Sequence, residues 1–377
     1  MQTFDVVIVG AGVMGASAAC ELAGDGATVA LIDQSLLPNP RAASVDHSKV
    51  FRYAYPEPFY VSLAIDALKR WHEIESKTGI HVLTQTGALL LGRREPSFEL
   101  DCFEAMRSLG VESEKLDSPE ATARFPQFNG NAFAYAVYDP SGAILHAETA
   151  VRTLIDSARS RVKIIEGERV TGVEGRTSHI VISTEGGKSF ECERVIITSG
   201  PWSRKLFPVL DKELTTTRQE TVYFEPLRLE DSLAFAPKLF PIFLELETGF
   251  YGFPIHYSGA MKIANHHKGP IVDPDDINEP VDEQFINRCR EFFSEFIPGL
   301  ADARVRETRV CIYNNTPDDD FIIDWHPQLE RVLVVTGFSG HGFKFGPTIG
   351  RIAADLIEQR STPFNIDRFS FARFNKV

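Results

Sequence analysis

The apolar run Phe4-Asp5-Val6-Val7-Ile8-Val9 leads straight into Gly10-Ala11-Gly12-Val13-Met14-Gly15, an order of residues that few folds accept. Val6 to Val9 is an unbroken β-branched stretch, the pattern of a strand buried on both faces in a parallel sheet. Gly10 permits the tight turn out of the strand, Gly12 lets backbone approach a pyrophosphate, and Gly15 lets the next helix lie close to the sheet. The Ala-rich stretch from Val13 to Leu22 reads as that helix, ending near Gly24 and Gly26. Its first turn, with Val13 and Met14, offers free N–H groups and a positive dipole end to phosphates. A second strand, Thr28-Val29-Ala30-Leu31-Ile32, ends in Asp33, followed by Gln34. An acid about 20 residues past the glycines can accept hydrogen bonds from an adenosine ribose and would repel a 2′-phosphate. The unit is expected to bind a dinucleotide. NAD and FAD share the pattern, so the rest of the chain must decide between them.

A chain of 377 residues favours two domains sharing an interface over one. Its 43% hydrophobic content is ordinary for a globular core. A formal net charge of −13 argues against nucleic acid or an anionic membrane as partner. No apolar run approaches the ~18 residues that span a bilayer, and no basic leader precedes the first strand. The cysteines at 20, 102, 192, 289 and 311 are odd in number and lack metal spacing. No metal site is expected, and the pattern suits a reducing cytoplasm. The terminal Phe374-Asn375-Lys376-Val377 carries no peroxisomal address.

Beyond the first unit, residues 34–58 are rich in proline and read as loops. A helix is expected from Phe59 to Ser76, with Leu63, Ala64, Ala67, Leu68 and Trp71 near helical spacing. Strands at 82–92 and a helix at 97–109 follow. Ser118 reads as an N-cap, with Pro119 at the first helical position. A helix near 146–160 precedes strands at Val162–Ile165, Ile180–Ser183 and Arg194–Thr198, the last ending at Ser199-Gly200-Pro201-Trp202. Strands at Thr217–Phe224, Phe240–Leu246, Phe250–Pro254 and Met261–Asn265 alternate as in an antiparallel sheet. A helix near 283–297, a strand near 305–313 and a final helix from Pro347 to Glu358 complete the chain.

Three segments carry chemistry. They are Ser48-Lys49-Val50-Phe51-Arg52-Tyr53-Ala54-Tyr55; Tyr251-Gly252-Phe253-Pro254 followed by Lys262; and the block from Cys311-Ile312-Tyr313 through Thr316-Pro317-Asp318 to Gly337-Phe338-Ser339-Gly340-His341-Gly342-Phe343-Lys344. Taken singly, Cys311 would be a small buried hydrophobe, Lys262 a solvated lysine, and Tyr251 and Tyr313 core. His266 and His267 are adjacent, so period-two alternation lets only one face a given site.

Together with the nucleotide motif, these segments resemble the monomeric sarcosine oxidase family across essentially the whole chain. The family includes N-methyltryptophan, pipecolate, saccharopine and fructosyl-amino-acid oxidases. The resemblance implies an α/β fold: a Rossmann-type, glutathione-reductase-like FAD-binding domain with an α+β substrate domain on an antiparallel sheet. The FAD domain would comprise residues 1–80, 146–208 and 320–377, and the substrate domain 81–145 and 209–319. It implies FAD held covalently through Cys311, a thiolate being the strongest side-chain nucleophile available. Ser48, Lys49, Val170, Gly200, Trp202, Gly340, His341, Gly342 and Lys344 join the dinucleotide motif as cofactor contacts. Lys262 is implied to assist reaction with oxygen, and His266, Tyr251 and Tyr313 to line the pocket. Arg52 and Lys344 match the two cations that clamp a substrate carboxylate.

One position departs from the pattern. Lys49 stands where sarcosine oxidases carry arginine, and Asp46-x-x-Lys49 looks more like the fructosyl-amino-acid and saccharopine oxidases. The expected activity is oxidation of a secondary amino acid to an imine, with O₂ reduced to H₂O₂, by a monomer acting on an N-substituent larger than methyl. The rivals are an Amadori amino-acid oxidase, an imine-oxidising or desaturating enzyme on the same scaffold, and a NAD-dependent dehydrogenase in which Cys311 is inert.

Overall fold

The computed structural model describes residues 2–24, 26–277 and 279–375. Lys376 and Val377 of the terminal tetrapeptide lie outside them. Two eight-stranded sheets and a small three-stranded one organise the chain.

In the first sheet, Gln2–Val9 runs parallel between Val29–Ile32 and Ser189–Ile197, and Val162–Ile165 extends it beyond Val29–Ile32. Val6 to Val9 are all buried, while Gln2 and Thr3, at the start of the same strand, are exposed. Ser189–Ile197 is longer than the expected Arg194–Thr198 because, on the edge away from Gln2–Val9, it serves two neighbours in turn. Its first half pairs antiparallel with Ile180–Thr184, and its last residues pair parallel with Val332–Thr336. Helix Val13–Leu22 packs against the sheet and is flanked by Ala147–Ala158 and Gly346–Ile357.

The second sheet runs in the order Arg304–Asn315, Thr215–Glu225, Met261–Asn265, Phe250–Gly252, Ile242–Glu245, Ala88–Gly92, Tyr135–Asp139, Glu114–Asp117. Its pairs are antiparallel except Ile242–Glu245 with Ala88–Gly92. Helix Glu283–Phe296 places Phe285, Phe292, Phe293 and Phe296 at helical spacing on one stripe. These rings pack on Phe224, Phe243 and Phe250. Strand alternation then decides the site. Phe243, Phe250, Met261, Ile263 and Val310 belong to this helix-covered core. Their neighbours Leu244, Tyr251, Lys262, Cys311 and Tyr313 therefore point to the opposite face.

The third sheet joins Lys49–Phe51, Ala143–Leu145 and Leu83–Gln85. The strands expected at 82–92 are Leu83–Gln85 and Ala88–Gly92, which lie in different sheets and are separated at Gly87, with φ of 73°. The expected cap at Ser118 is also shifted. Asp117 caps the helix, accepting from Glu120 N at 2.8 Å while Glu120 accepts from Asp117 N at 2.9 Å. A carboxylate in position for this reciprocal pair wins over Ser118, whose hydroxyl donates to Gly130 O instead. No helix among the described residues is long and apolar enough to cross a membrane.

Candidate active site

The turn after the first strand opens a cavity of about 1410 Å³, its mouth included. Gly10 has φ of 104°, and a methyl there would lie 2.5 Å from Thr198 O. A methyl on Gly15 would lie 1.8 Å from Gly10 O. The protein itself therefore forbids side chains at both positions. Gly12 differs: a methyl there would meet only Ser44 Oγ at 3.1 Å. Its bareness serves the cavity, where it leaves backbone open to a ligand.

Asp33 is 6% exposed, and burial raises its pKa against the bonds it accepts. Its Oδ2 accepts from Ala11 N at 2.8 Å, and its Oδ1 from Ser35 N at 3.0 Å and Asn39 Nδ2 at 2.9 Å. A carboxylate has about four lone-pair sites, so one remains on Oδ2 for a ribose hydroxyl. Val13, Met14, Gln34, Val170, Gly200, Trp202, Gly340 and Gly342 also line this cavity. Ser48 does not. Its hydroxyl bonds His256 Nε2 at 2.9 Å. Bare backbone beside a helix N-terminus, with a ribose-sized acceptor nearby, fits a dinucleotide.

Lys49, Tyr313, Gly340 and Phe343 belong to this cavity and to a second one beside it, of about 610 Å³. The second cavity brings together Arg52, Tyr251, Lys262, His266, His341 and Lys344, drawn from segments far apart in sequence. His266 faces it while His267 is exposed, as alternation requires. His341 and Lys344 line this cavity rather than the first. Trp71 Nε1 donates to Lys344 O at 2.8 Å and so anchors the turn that carries Lys344.

Arg52 and Lys344 are 8% and 4% exposed. Lys344 Nζ donates to Tyr55 OH at 2.8 Å and to His341 O at 2.7 Å. The Arg52 guanidinium lies 4.4 Å from the centroid of the same Tyr55 ring, and its Nη1 is buried without a partner. Among the described residues no carboxylate forms an ion pair with either. Asp139 is near Arg52, but it accepts from Tyr53 N at 2.6 Å and Ser141 N at 3.0 Å, and burial raises its pKa to about 6. Burial, with Arg52 adding to it, pulls Lys344 well below the ordinary lysine range. Two enclosed cations without an acid make a cavity that lacks one anion.

Across the cavity, Lys262 is 1% exposed and paired to Asp46 at 2.5 Å, with Lys49 Nζ 3.7 Å from the same oxygen. Burial raises the Asp46 pKa, but Lys262, Lys49 and a hydrogen bond from Tyr223 outweigh it and hold the carboxyl well below its usual range. Cys311 Sγ is 3.8 Å from Asp46 Oδ2. Burial pushes this thiol up, opposed by the two lysines. Burial lowers His266 to about 4, so its ring is neutral at neutral pH. Tyr251 and Tyr313 meet hydroxyl to hydroxyl at 3.4 Å, and burial raises both pKa values.

Sequence reasoning missed Asp46, Tyr55 and Tyr223 as site residues. Asp46 was signalled by its spacing to Lys49. Tyr223 had no signal, because it meets Asp46 only through its register opposite Lys262.

The chain is 32% identical over 385 residues to a mouse protein named peroxisomal sarcosine oxidase, covering 99% of this chain and 97% of the relative. It is also 32% identical to monomeric sarcosine oxidase of Bacillus sp. (strain B-0618), covering 98% and 96%. N-methyl-L-tryptophan oxidase of Yersinia pestis (strain Pestoides F) is 29% identical, covering 98% and 99%. In fold, L-proline dehydrogenase from P. horikoshii superposes with a TM-score of 0.87 at 19% identity, covering 100% of this chain and 98% of that one. Glycine oxidase from Geobacillus kaustophilus gives 0.82 at 22%, covering 99% of both. The sequence model described as FAD dependent oxidoreductase matches residues 5–356, from the first strand to the last long helix, and the chain belongs to that family.

Proposed function

We propose that this enzyme oxidises N-substituted amino acids at the C–N bond, giving an imine while O₂ becomes H₂O₂. The observation that carries this reading is the pair Arg52 and Lys344, two buried cations sharing a cavity that holds no acid for them. A substrate carboxylate would accept from the orphaned Arg52 Nη1 and from Lys344, and its charge would keep Lys344 protonated. A simple amine would leave both cations without a directly paired anion.

FAD, when bound, supplies the two-electron acceptor and passes those electrons to O₂. The dinucleotide motif, with Asp33, Gln34, Val170, Gly200 and Trp202, would hold it. Lys49, Tyr313, Gly340 and Phe343 would touch both cofactor and substrate, since they line both cavities. Cys311, on the sheet face that carries Lys262 and Tyr313, would form the thioether to the ring. Lys262 offers a fixed ammonium where negative charge develops on oxygen. Neutral His266 and the un-ionised phenols of Tyr251 and Tyr313 provide no strong base, so the substrate amine reacts in its neutral form. Segments 1–80, 146–208 and 320–377 act as the FAD domain, and 81–145 with 209–319 as the substrate domain. The enzyme works as a monomer in the cytoplasm. Lys49 in place of arginine favours an N-substituent larger than methyl, and a fructosyl group is the second reading.

Two measurements test this. Acid-precipitated holoenzyme should keep its yellow colour in the pellet, and Cys311→Ser should release it; colour wholly in the supernatant of the wild type would remove the covalent link. Peroxide release should appear with N-methyl, cyclic or fructosyl amino acids and be weak with sarcosine. No peroxide from any of them would overturn the oxidase reading.

A further inference from the structure

Asp46 sits at the centre of the catalytic cluster, yet no role in the reaction has been given to it so far. It is 2% exposed. Its Oδ1 accepts from Tyr223 OH at 2.7 Å and from His47 N at 2.8 Å. Its Oδ2 takes Lys262 Nζ at 2.5 Å, with Lys49 Nζ at 3.7 Å and Cys311 Sγ at 3.8 Å. Lys262 also donates to Ser48 O at 2.8 Å. An ammonium has three donors. With two fixed on Asp46 and Ser48, the third is left for the cavity that Lys262 lines.

The charge balance matters as much as the aim. Lys49 and Lys262 approach one oxygen from different strands, Lys262 fully buried and the Lys49 side chain 17% exposed. Two enclosed ammoniums without an acid would not both keep their protons. Burial already pulls Lys262 below the ordinary lysine value, Asp46 is the main group opposing that, and Lys49 adds to the fall. No other acid takes over. Glu307 is engaged by Arg309 and His47. The remaining titratable groups facing the cluster are Tyr223, Tyr251, Tyr313 and His256, which burial shifts toward their neutral forms, and Cys311, which favours the charged form of both lysines but whose thiol burial pushes up and whose sulfur would be committed to the flavin.

We propose that Asp46 is a positioning residue for the oxygen half-reaction: it anchors the Lys262 ammonium, aims its free N–H into the cavity, and supplies the negative charge that lets two lysines share one enclosed space. The inference rests on the reading that Lys262 serves reaction with oxygen. It also accounts for the Asp46-x-x-Lys49 spacing. A lysine can stand near Lys262 because an acid three residues earlier compensates it.

The test uses holoenzyme of the wild type, Asp46→Asn, Lys262→Met and the double variant Asp46→Asn/Lys49→Met. Flavin reduction by a cyclic secondary amino acid such as pipecolate and reoxidation by O₂ are timed separately across the alkaline range. Lysine Cε resonances are titrated in parallel by NMR, that of Lys262 being the one lost in Lys262→Met. In Asp46→Asn, the Lys262 resonance should titrate about one to three pH units lower than in the wild type. Reoxidation should fall as pH rises through that titration, approaching the roughly 10²–10³-fold loss of Lys262→Met. Reduction should change little. Adding Lys49→Met should move both the titration and the fall back to higher pH, which a packing defect would not do. If Asp46→Asn fails to fold, the double variant carries the test: reoxidation slowed at low pH, where Lys262 is charged but no longer aimed, supports the proposal.

Wild-type reoxidation and an unmoved Lys262 titration in Asp46→Asn, or in the double variant where that alone folds, would overturn the proposal while leaving the role of Lys262 intact. Equal, pH-independent loss in both half-reactions would reduce Asp46 to a structural residue. Normal reoxidation in Lys262→Met would overturn the reading of Lys262 and the proposal with it.

Discussion

The two cavities share a wall but are assembled in different ways. In the nucleotide cavity one local unit, Val9 to Asp33, acts largely through its backbone, and further walls come from 39–49, 168–171, 198–206 and 312–343. Bare glycines, helix N–H groups and one carboxylate define it. The neighbouring cavity draws Arg52, Leu244, Tyr251, Lys262, His266 and Lys344 from separate segments, and these act through side chains. The first is a matter of shape, with no room for added atoms at Gly10 or Gly15. The second is a matter of charge: two cations without an acid at one end, and two cations sharing one acid at the other.

Two substitutions set these demands against each other. The larger effect should come from Gly15→Val. A side chain there collides with the fixed backbone of Gly10. The cost should exceed the ~1–3 kcal/mol of ordinary overpacking, because backbone cannot turn aside as a side chain can. Little soluble, flavin-bearing protein should be recovered, measured as the flavin-to-protein absorbance ratio; normal flavin content would break the shape argument. Arg52→Ala should be gentler and different in kind. The fold and flavin content should survive, while amino-acid affinity falls by about 2–5 kcal/mol, the loss expected for one member of a desolvated charged contact. The change should appear mainly in KM if the clamp acts equally on substrate and transition state. Unchanged KM would break the charge argument.

This difference in construction also explains what was legible in the sequence. The first strand, helix Val13–Leu22, the second strand and Asp33 obey local rules, and the structure reproduces the helix and both strands closely. Helix 283–297 was readable for the same reason, since its phenylalanines repeat at helical spacing. The strands within 82–92 were readable, but their division between two sheets was not, because strand pairing leaves no local signal. The second cavity has no local rule at all. Lys262 and Cys311 read singly as an exposed lysine and an inert thiol, and only their place in longer motifs lifted them. Tyr223 stayed hidden because its role depends on strand register, which a single sequence does not display.

The central claim is that the two cavities act on one molecule, a carboxylate-bearing amine gripped beside FAD. Anaerobic mixing of holoenzyme with a cyclic secondary amino acid such as pipecolate, and separately with its decarboxylated amine, piperidine, is the test. The amino acid should bleach the flavin and air should restore the colour with release of peroxide, while the amine should leave the flavin oxidised. Equal bleaching by both compounds would contradict it.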